Sequence, residues 1–479
     1  LPQYIISENI RFLKGVIAIL TAASVWIQYG LMNEIINRVK PFRALHYNKE
    51  KVGDIGACLS APYDVISPDL QEQYYKRHPN NVIRLILNKI LPNDTDKDNR
   101  YARARVFLDE WKKSRVLIQS EHPWFFAYEE IFTIDGILRK LSGFIGLVHL
   151  SEYTEGRILP HEKVLKSPVE DRIRLTQTTG TQFEYIWGLY RDPQSEIDKL
   201  LAKAKSGEPI VDYREEENGV QHRLWGISDP CITTRIERAM ADKKIYIADG
   251  HHRYQTMLSI RDQQRAKLPK AGDDADFDYI MMFLVNTSHE GLFVLPTHRL
   301  LHGLDAKAVS SMKTGFSKYF SVKEIPFAPG KELGAQQQLC LELVKKKKPS
   351  FGVSIAGENS FLLIELSDES AYKKICGTSG TDVWKLLDVN VLNVLVLAKL
   401  AGIPEEAMAE GTNVSYVKDA DEAFSRVRSG EMQVAFILNS TPLESVLQVS
   451  EAGEKMPRKS TYFYPKPLSG LVFYQMEGL

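Results

Sequence analysis

Cysteine is scarce in this chain of 479 residues: there are four, Cys58, Cys231, Cys340 and Cys376, and the closest two are 36 positions apart. That spacing excludes a C-x-x-C redox pair, a zinc knuckle and a dense disulfide framework. A surplus of charge of one sign is also lacking, since 61 Lys and Arg meet 61 Asp and Glu. Binding of nucleic acid through overall positive potential is therefore not expected, and any basic site must be local. Walker A, Rossmann, G-x-S-x-G, H-E-x-x-H and EF-hand patterns are absent, as are internal repeats. What is left, with 44% hydrophobic and 25% charged residues, reads as a folded soluble protein of two or three domains in a reducing, cytoplasmic compartment.

Long apolar runs are few. Gly15–Asn33 carries no charge and follows Arg11 and Lys14, in the manner of a weak signal peptide or anchor, but Thr21, Ser24, Gln28 and Tyr29 dilute it. The expectation is that residues 1–38 are a leader or an over-extended start, with translation beginning near Met32, and that no membrane is engaged. A short buried helix is the other reading of that segment.

Further along, Ala61–Pro68 reads as extended chain broken by proline, and Asn81–Leu87 as a strand. Tyr101–Lys113 has a helical apolar face. Trp124–Ile134 and Ile137–Leu150 are strands joined by Asp135-Gly136, a type I′ hairpin signal. Lys163–Thr176 reads as a helix, Tyr185–Tyr190 as a strand and Glu208–Gln221 as a polar connection. Lys243–Ala248 then reads as a strand, Arg253–Lys267 as a helix, Tyr279–Asn286 as a buried strand and Val389–Leu400 as an apolar helix. The class is α+β (mixed α/β), with an N-terminal domain over 39–302 and a C-terminal α+β domain over 303–479.

Three clusters could carry chemistry. In Asp249-Gly250-His251-His252-Arg253 a strand feeds a tight turn that opens a helix. Gly250 lets backbone approach a ligand, the first N–H groups of the helix point outward and Arg253 offers a forked cation, together a phosphate-binding arrangement. The plainer reading is that Asp249 merely caps the helix. In Leu159-Pro160-His161-Glu162 a stiffened chain presents an imidazole beside a carboxylate, and Glu162 can serve as a general base, or the segment is an exposed turn. The C-terminal run Gly453–Lys466 packs Lys455, Arg458, Lys459 and Lys466 among hydroxyls and aromatics, suited to closing over an anion or to docking one domain on another. His161, Glu162, Asp249, His251 and His252 would also suit a divalent metal if folding brought the turns together. Pro296-Thr297-His298-Arg299 is a smaller cluster that reads as structural, and Lys345–Lys348 as a solvated helix end.

Pro62-Tyr63-Asp64-Val65-Ile66, Leu159-Pro160-His161-Glu162, Asp249–Tyr254, Leu295–Arg299 and Lys459–Lys466 occur in that order, and in this the chain resembles the family of domain of unknown function DUF1015, from about Lys40 to the C-terminus. More distantly, the Asp-Gly-His-x-Arg turn with an upstream His-Glu is similar to the ParB and sulfiredoxin superfamily, including the free serine kinases. That resemblance implies a nucleotide-binding core and, because 88 positions separate Glu162 from Gly250, an inserted lobe within Ser167–Asp242. It implies Glu162, with His161 and Asp249, as catalytic residues. Gly250, His251, His252, Arg253, Lys459 and Lys466 would hold the phosphates of ATP or ADP, with Mg²⁺ near Asp249. The expected function is a nucleotide-dependent phosphotransferase acting on a small hydroxyl metabolite such as serine. A non-catalytic nucleotide-responsive module and a metal-dependent hydrolase are the alternatives.

Overall fold

A computed structural model describes residues 38–269, 272 and 274–477. The expected leader and Met32 start lie outside these residues, apart from Arg38. The protein is a mixed α/β chain built on two sheets.

The first sheet has nine strands: β1 (Val39–Lys40), β2 (Phe125–Ile134), β3 (Ile137–His149), β4 (Ile158–Pro160), β5 (Ile186–Tyr190), β6 (Val211–Arg214), β7 (Gln221–Ile227), β8 (Ile245–Asp249) and β9 (Tyr279–Asn286). Their spatial order is β4-β8-β5-β9-β3-β2-β7-β6, with β1 also on β3. Two pairings are parallel, β4 with β8 and β5 with β9, and the rest are antiparallel. The β2–β3 hairpin turns at Asp135-Gly136, whose φ values of 52° and 73° are the left-handed pair a type I′ turn requires. Strand β9 is buried along its whole length, as a central strand covered on both faces must be. Two helices flank the site described below, α1 (Lys166–Thr179) and α2 (His251–Lys267).

The second sheet has six antiparallel strands, β10 (His298–Leu301), β11 (Phe320–Pro326), β12 (Ser350–Ile355), β13 (Ser360–Leu366), β14 (Val414–Val417) and β15 (Val434–Ile437), in the order β11-β13-β12-β15-β10-β14. His298–Leu301, upstream of residue 303, thus belongs to this sheet. The last residues return to the first part of the fold: Tyr462–Tyr464 pairs with Phe293–Leu295, Tyr474–Gln475 pairs with Thr181–Gln182, and Ser469 bridges Ser60.

Several local expectations are corrected. Asn81–Leu87 is not a strand but contains a helical turn, Ile83–Ile86. Buried Asn81 accepts from the Ile83 N–H (3.0 Å) and donates to the carbonyls of Ala57 and Leu59, and this local polar anchoring overrides the apolar alternation. Within the extended piece Ala61–Pro68, Tyr63–Val65 forms a 3₁₀ turn leading to the helix Pro68–Arg77, which Ser67 caps. The connection Glu208–Gln221 holds strand β6. Segment 167–242 supplies β5, β6 and β7 of the first sheet, and the expectation of an inserted lobe there is not among these corrections. Among the described residues no helix is long and apolar enough to cross a membrane.

Candidate functional site

The parallel pairing of β4 with β8 sets the site. Ile158, Leu159 and Pro160 lie opposite Ile245, Tyr246 and Ile247, so the chain leaves both strands at the same edge. Glu162 follows β4 by two residues and Gly250 follows β8 directly. Both line one cavity of about 450 Å³, within the range of a small-molecule site.

Gly250 has φ 94°, and a Cβ there would stand 3.1 Å from Nε of Arg253. Glycine is favoured here by the left-handed backbone, and any Cβ would also crowd the guanidinium. No side chain caps α2, and its first residues, Gly250–Arg253, line the cavity at the positive end of the helix. Asp249 is not that cap. Its Oδ2 accepts from Nη2 of Arg253 at 2.7 Å, and its Oδ1 takes the ammonium of Lys466 from the far end of the chain. Burial alone would raise its pKa, but Lys466 and Arg253 outweigh that and hold the carboxyl below the usual range.

The three histidines are partnered, and burial lowers the pKa of each. The His161 N–H donates to Nε2 of His251 (3.2 Å), which leaves the His251 proton on Nδ1, 3.9 Å from Oε2 of Glu162. The Leu165 N–H donates to Nε2 of His252 (3.1 Å). His161 does not line the cavity: it sits behind His251, edge to face at 4.7 Å, with Nε2 on the Thr461 hydroxyl at 3.1 Å. Burial pushes His161 down to about 4, and burial together with His161 pushes His251 down as well.

Glu162 is half-buried. Burial and the Asp249 charge raise its pKa, opposed by Lys459, Arg458 and Lys466. Its approach is pinned by the C-terminal run, because the Met456 N–H donates to the His161 carbonyl (2.7 Å) and Lys455 Nζ donates to the Pro160 carbonyl (2.7 Å). Lys455, pushed down to about 8 by burial, is an anchor outside the cavity lining.

Lys459 and Lys466 line the cavity, with Arg458 and Thr461 beside them. Tyr63 and Asp64 of the Pro62–Ile66 motif, which local sequence does not assign to the site, also line the cavity. Lys418, which local sequence does not single out at all, enters from the second sheet just after β14 with Nζ 3.8 Å from the Tyr462 ring centroid. Burial, Lys466 and Lys459 lower the Lys418 pKa. The lining holds five cations, Arg253, Lys418, Arg458, Lys459 and Lys466, against the carboxylates of Asp64, Glu162 and Asp249, a balance that favours an anionic ligand.

The donor set does not fit a metal held by the protein. Both Asp249 oxygens lie on cations, His251 and His252 each use Nε2 to accept a backbone N–H, and among the described residues no group of three or more His, Cys, Asp or Glu is placed to hold an ion.

A family model described as "Protein of unknown function (DUF1015)" matches residues 39–390. No curated protein matches the chain. Among solved structures, free serine kinase in complex with AMP is 14% identical, with 67% of this chain and 88% of that chain covered and a TM-score of 0.32. A variant of free serine kinase in complex with ADP is also 14% identical over 67% and 89%, with a TM-score of 0.33. SbnI with a C-terminal truncation, from Staphylococcus aureus, is 11% identical over 68% and 85%, with a TM-score of 0.31.

Proposed function

The chain belongs to the family described as "Protein of unknown function (DUF1015)", and from that premise, which brings no activity with it, we propose that it is a phosphotransferase. It moves a phosphoryl group from a nucleotide, ATP or ADP, to the hydroxyl of a small metabolite such as serine. The observation that carries this reading is the sharing of one cavity by the Glu162 carboxylate, the uncapped start of α2 and five cations.

The nucleotide phosphates lie against the N–H groups of Gly250–Arg253, with Lys459 and Lys466 offsetting charge. The acceptor hydroxyl is held beside Glu162. Its oxygen bonds to the terminal phosphorus as the bond from that phosphorus to the bridging oxygen breaks, the hydroxyl proton passes to Glu162, and the shortened nucleotide carries away the bond's electron pair. His251, with its proton fixed on Nδ1, orients Glu162 rather than competing with it as base. No step is assigned to Mg²⁺.

The test is incubation with a nucleotide panel and a pool of hydroxyl metabolites including serine, with and without Mg²⁺, and a mass-spectrometric search for phosphorylated products. The reading requires a product that Glu162→Gln abolishes while nucleotide binding persists. A second reading, a nucleotide-responsive binding module, draws on the cavity wall built by Tyr416, Val417 and Lys418 of the second sheet, through which a ligand would alter the packing of the two sheets. Tight nucleotide binding without product selects it.

A further inference from the structure

Arg299 is the most deeply buried arginine among the described residues, with 1% exposure. It closes the Pro296-Thr297-His298-Arg299 cluster, which has no part in the chemistry above. A guanidinium removed from water normally faces a carboxylate. Here none lies within ion-pair distance among the described residues. Nε has no partner, Nη1 donates to the Thr297 carbonyl, and Nη2 donates to the Lys459 carbonyl at 3.0 Å.

Among the described residues Lys459 is one of four non-glycine residues with positive φ, at 58°. A lysine there is strained and persists only where its surroundings impose the conformation. The flanking bonds do so: Arg299 holds the Lys459 carbonyl, the Thr441 hydroxyl donates to the Ser460 carbonyl (2.9 Å), and the Ser460 hydroxyl donates to the Pro457 carbonyl (2.6 Å). The outcome is a lysine that faces the cavity and has no ion-pair partner among the described residues.

We propose that Arg299 is a positioning residue for anion binding: from the second sheet it fixes the backbone of Lys459 in the left-handed conformation that presents the ammonium to the phosphates. This rests on the phosphate-binding reading of the cavity and extends it, because it gives the second sheet a direct role in affinity.

The experiment is calorimetric titration of the full chain with inorganic pyrophosphate and with ATP, for wild type, Arg299→Lys, Lys459→Ala and the double variant. Arg299→Lys keeps a charge but loses the fork. Each single variant is expected to weaken both ligands about tenfold, near one charge-assisted hydrogen bond, and the double variant to bind no more than twofold worse than Lys459→Ala, because both changes remove one device. Additive losses, or wild-type affinity in Arg299→Lys, overturn the proposal. A wild type that binds neither anion overturns it together with the cavity's assignment, whereas binding without any phosphorylated product removes only the kinase reading. Should Arg299→Lys not fold, Lys459→Gly keeps the backbone without the ammonium: it is expected to melt above Lys459→Ala while binding pyrophosphate equally weakly. A glycine variant melting no higher than the alanine one removes the imposed conformation, and the proposal with it.

Discussion

Lys466 places its ammonium on Oδ1 of Asp249, 217 positions earlier in the chain. Through that pair the C-terminal run becomes part of a turn formed by strand β8 and helix α2.

Removing the ammonium with Lys466→Met is expected to cost about 2 kcal/mol at pH 7. That is less than the ~3–5 kcal/mol of a fully stranded buried charge, because Arg253 remains on Asp249. The folded-state pKa of Asp249 lies below its unfolded value, so the pair contributes fully above the ordinary carboxylate range and is lost as the pH falls beneath it. Urea unfolding should show the deficit undiminished from pH 7 to 5 and shrinking below pH 4. An equal deficit at every pH contradicts the pairing.

Glu162 carries the opposite sign. Its pKa is raised in the fold, so its ionisation destabilises the protein as pH rises above the unfolded value. Glu162→Gln should melt higher than wild type at pH 7 even as turnover disappears, and wild-type turnover should rise with pH through a midpoint above the ordinary glutamate value. Calorimetric melting and a pH–rate profile read the two effects separately. A variant that melts lower indicates that the carboxylate is structural.

Gly250→Ala should lose at least about 1–2 kcal/mol from the left-handed backbone alone. The added methyl also meets the Arg253 guanidinium, so pyrophosphate binding should fall by more than the loss of stability explains. Unchanged affinity in a folded Gly250→Ala protein separates the turn from the ligand.

Acid should weaken the fold well before carboxylates titrate. His161 and His298 are both pushed down to about 4 by burial, and His251 is lowered too. The unfolded chain therefore binds more protons below the ordinary histidine value near 6.5. Stability is complete above that value and falls as pH drops toward 4, with a slope approaching about 1.4 kcal/mol per pH unit for each such histidine. Denaturant midpoints at pH 7, 6 and 5 measure it, and a flat profile means the imidazoles are solvated.

Dialysis against a chelator should leave the melting temperature unchanged, because the Asp249 oxygens and the Nε2 atoms of His251 and His252 already have protein partners. A fall of several degrees, reversed by one added metal, would restore the hydrolase reading.

The chain's own order of residues determined what is local. Asp135-Gly136 can only turn a tight hairpin, Gly250 after an apolar strand opens a helix with its N–H groups exposed, and Glu162 stands behind a stiffening proline. Short apolar runs were less legible: Asn81–Leu87 alternates like a strand, yet the amide of Asn81 bends it into a helical turn, a contact with Ala57 and Leu59 that periodicity cannot report. Tertiary structure alone decided that Glu162 and Gly250 meet, through the parallel register of β4 on β8. It also put His161 behind the cavity, took both Asp249 oxygens for cations, brought Lys418 from the second sheet's side to the cavity wall, and set Arg299 beneath the backbone of Lys459. The physical reason is that spacing along a chain constrains dihedral angles over a few residues, whereas the field at a site is summed over charges that only long-range strand pairing brings together.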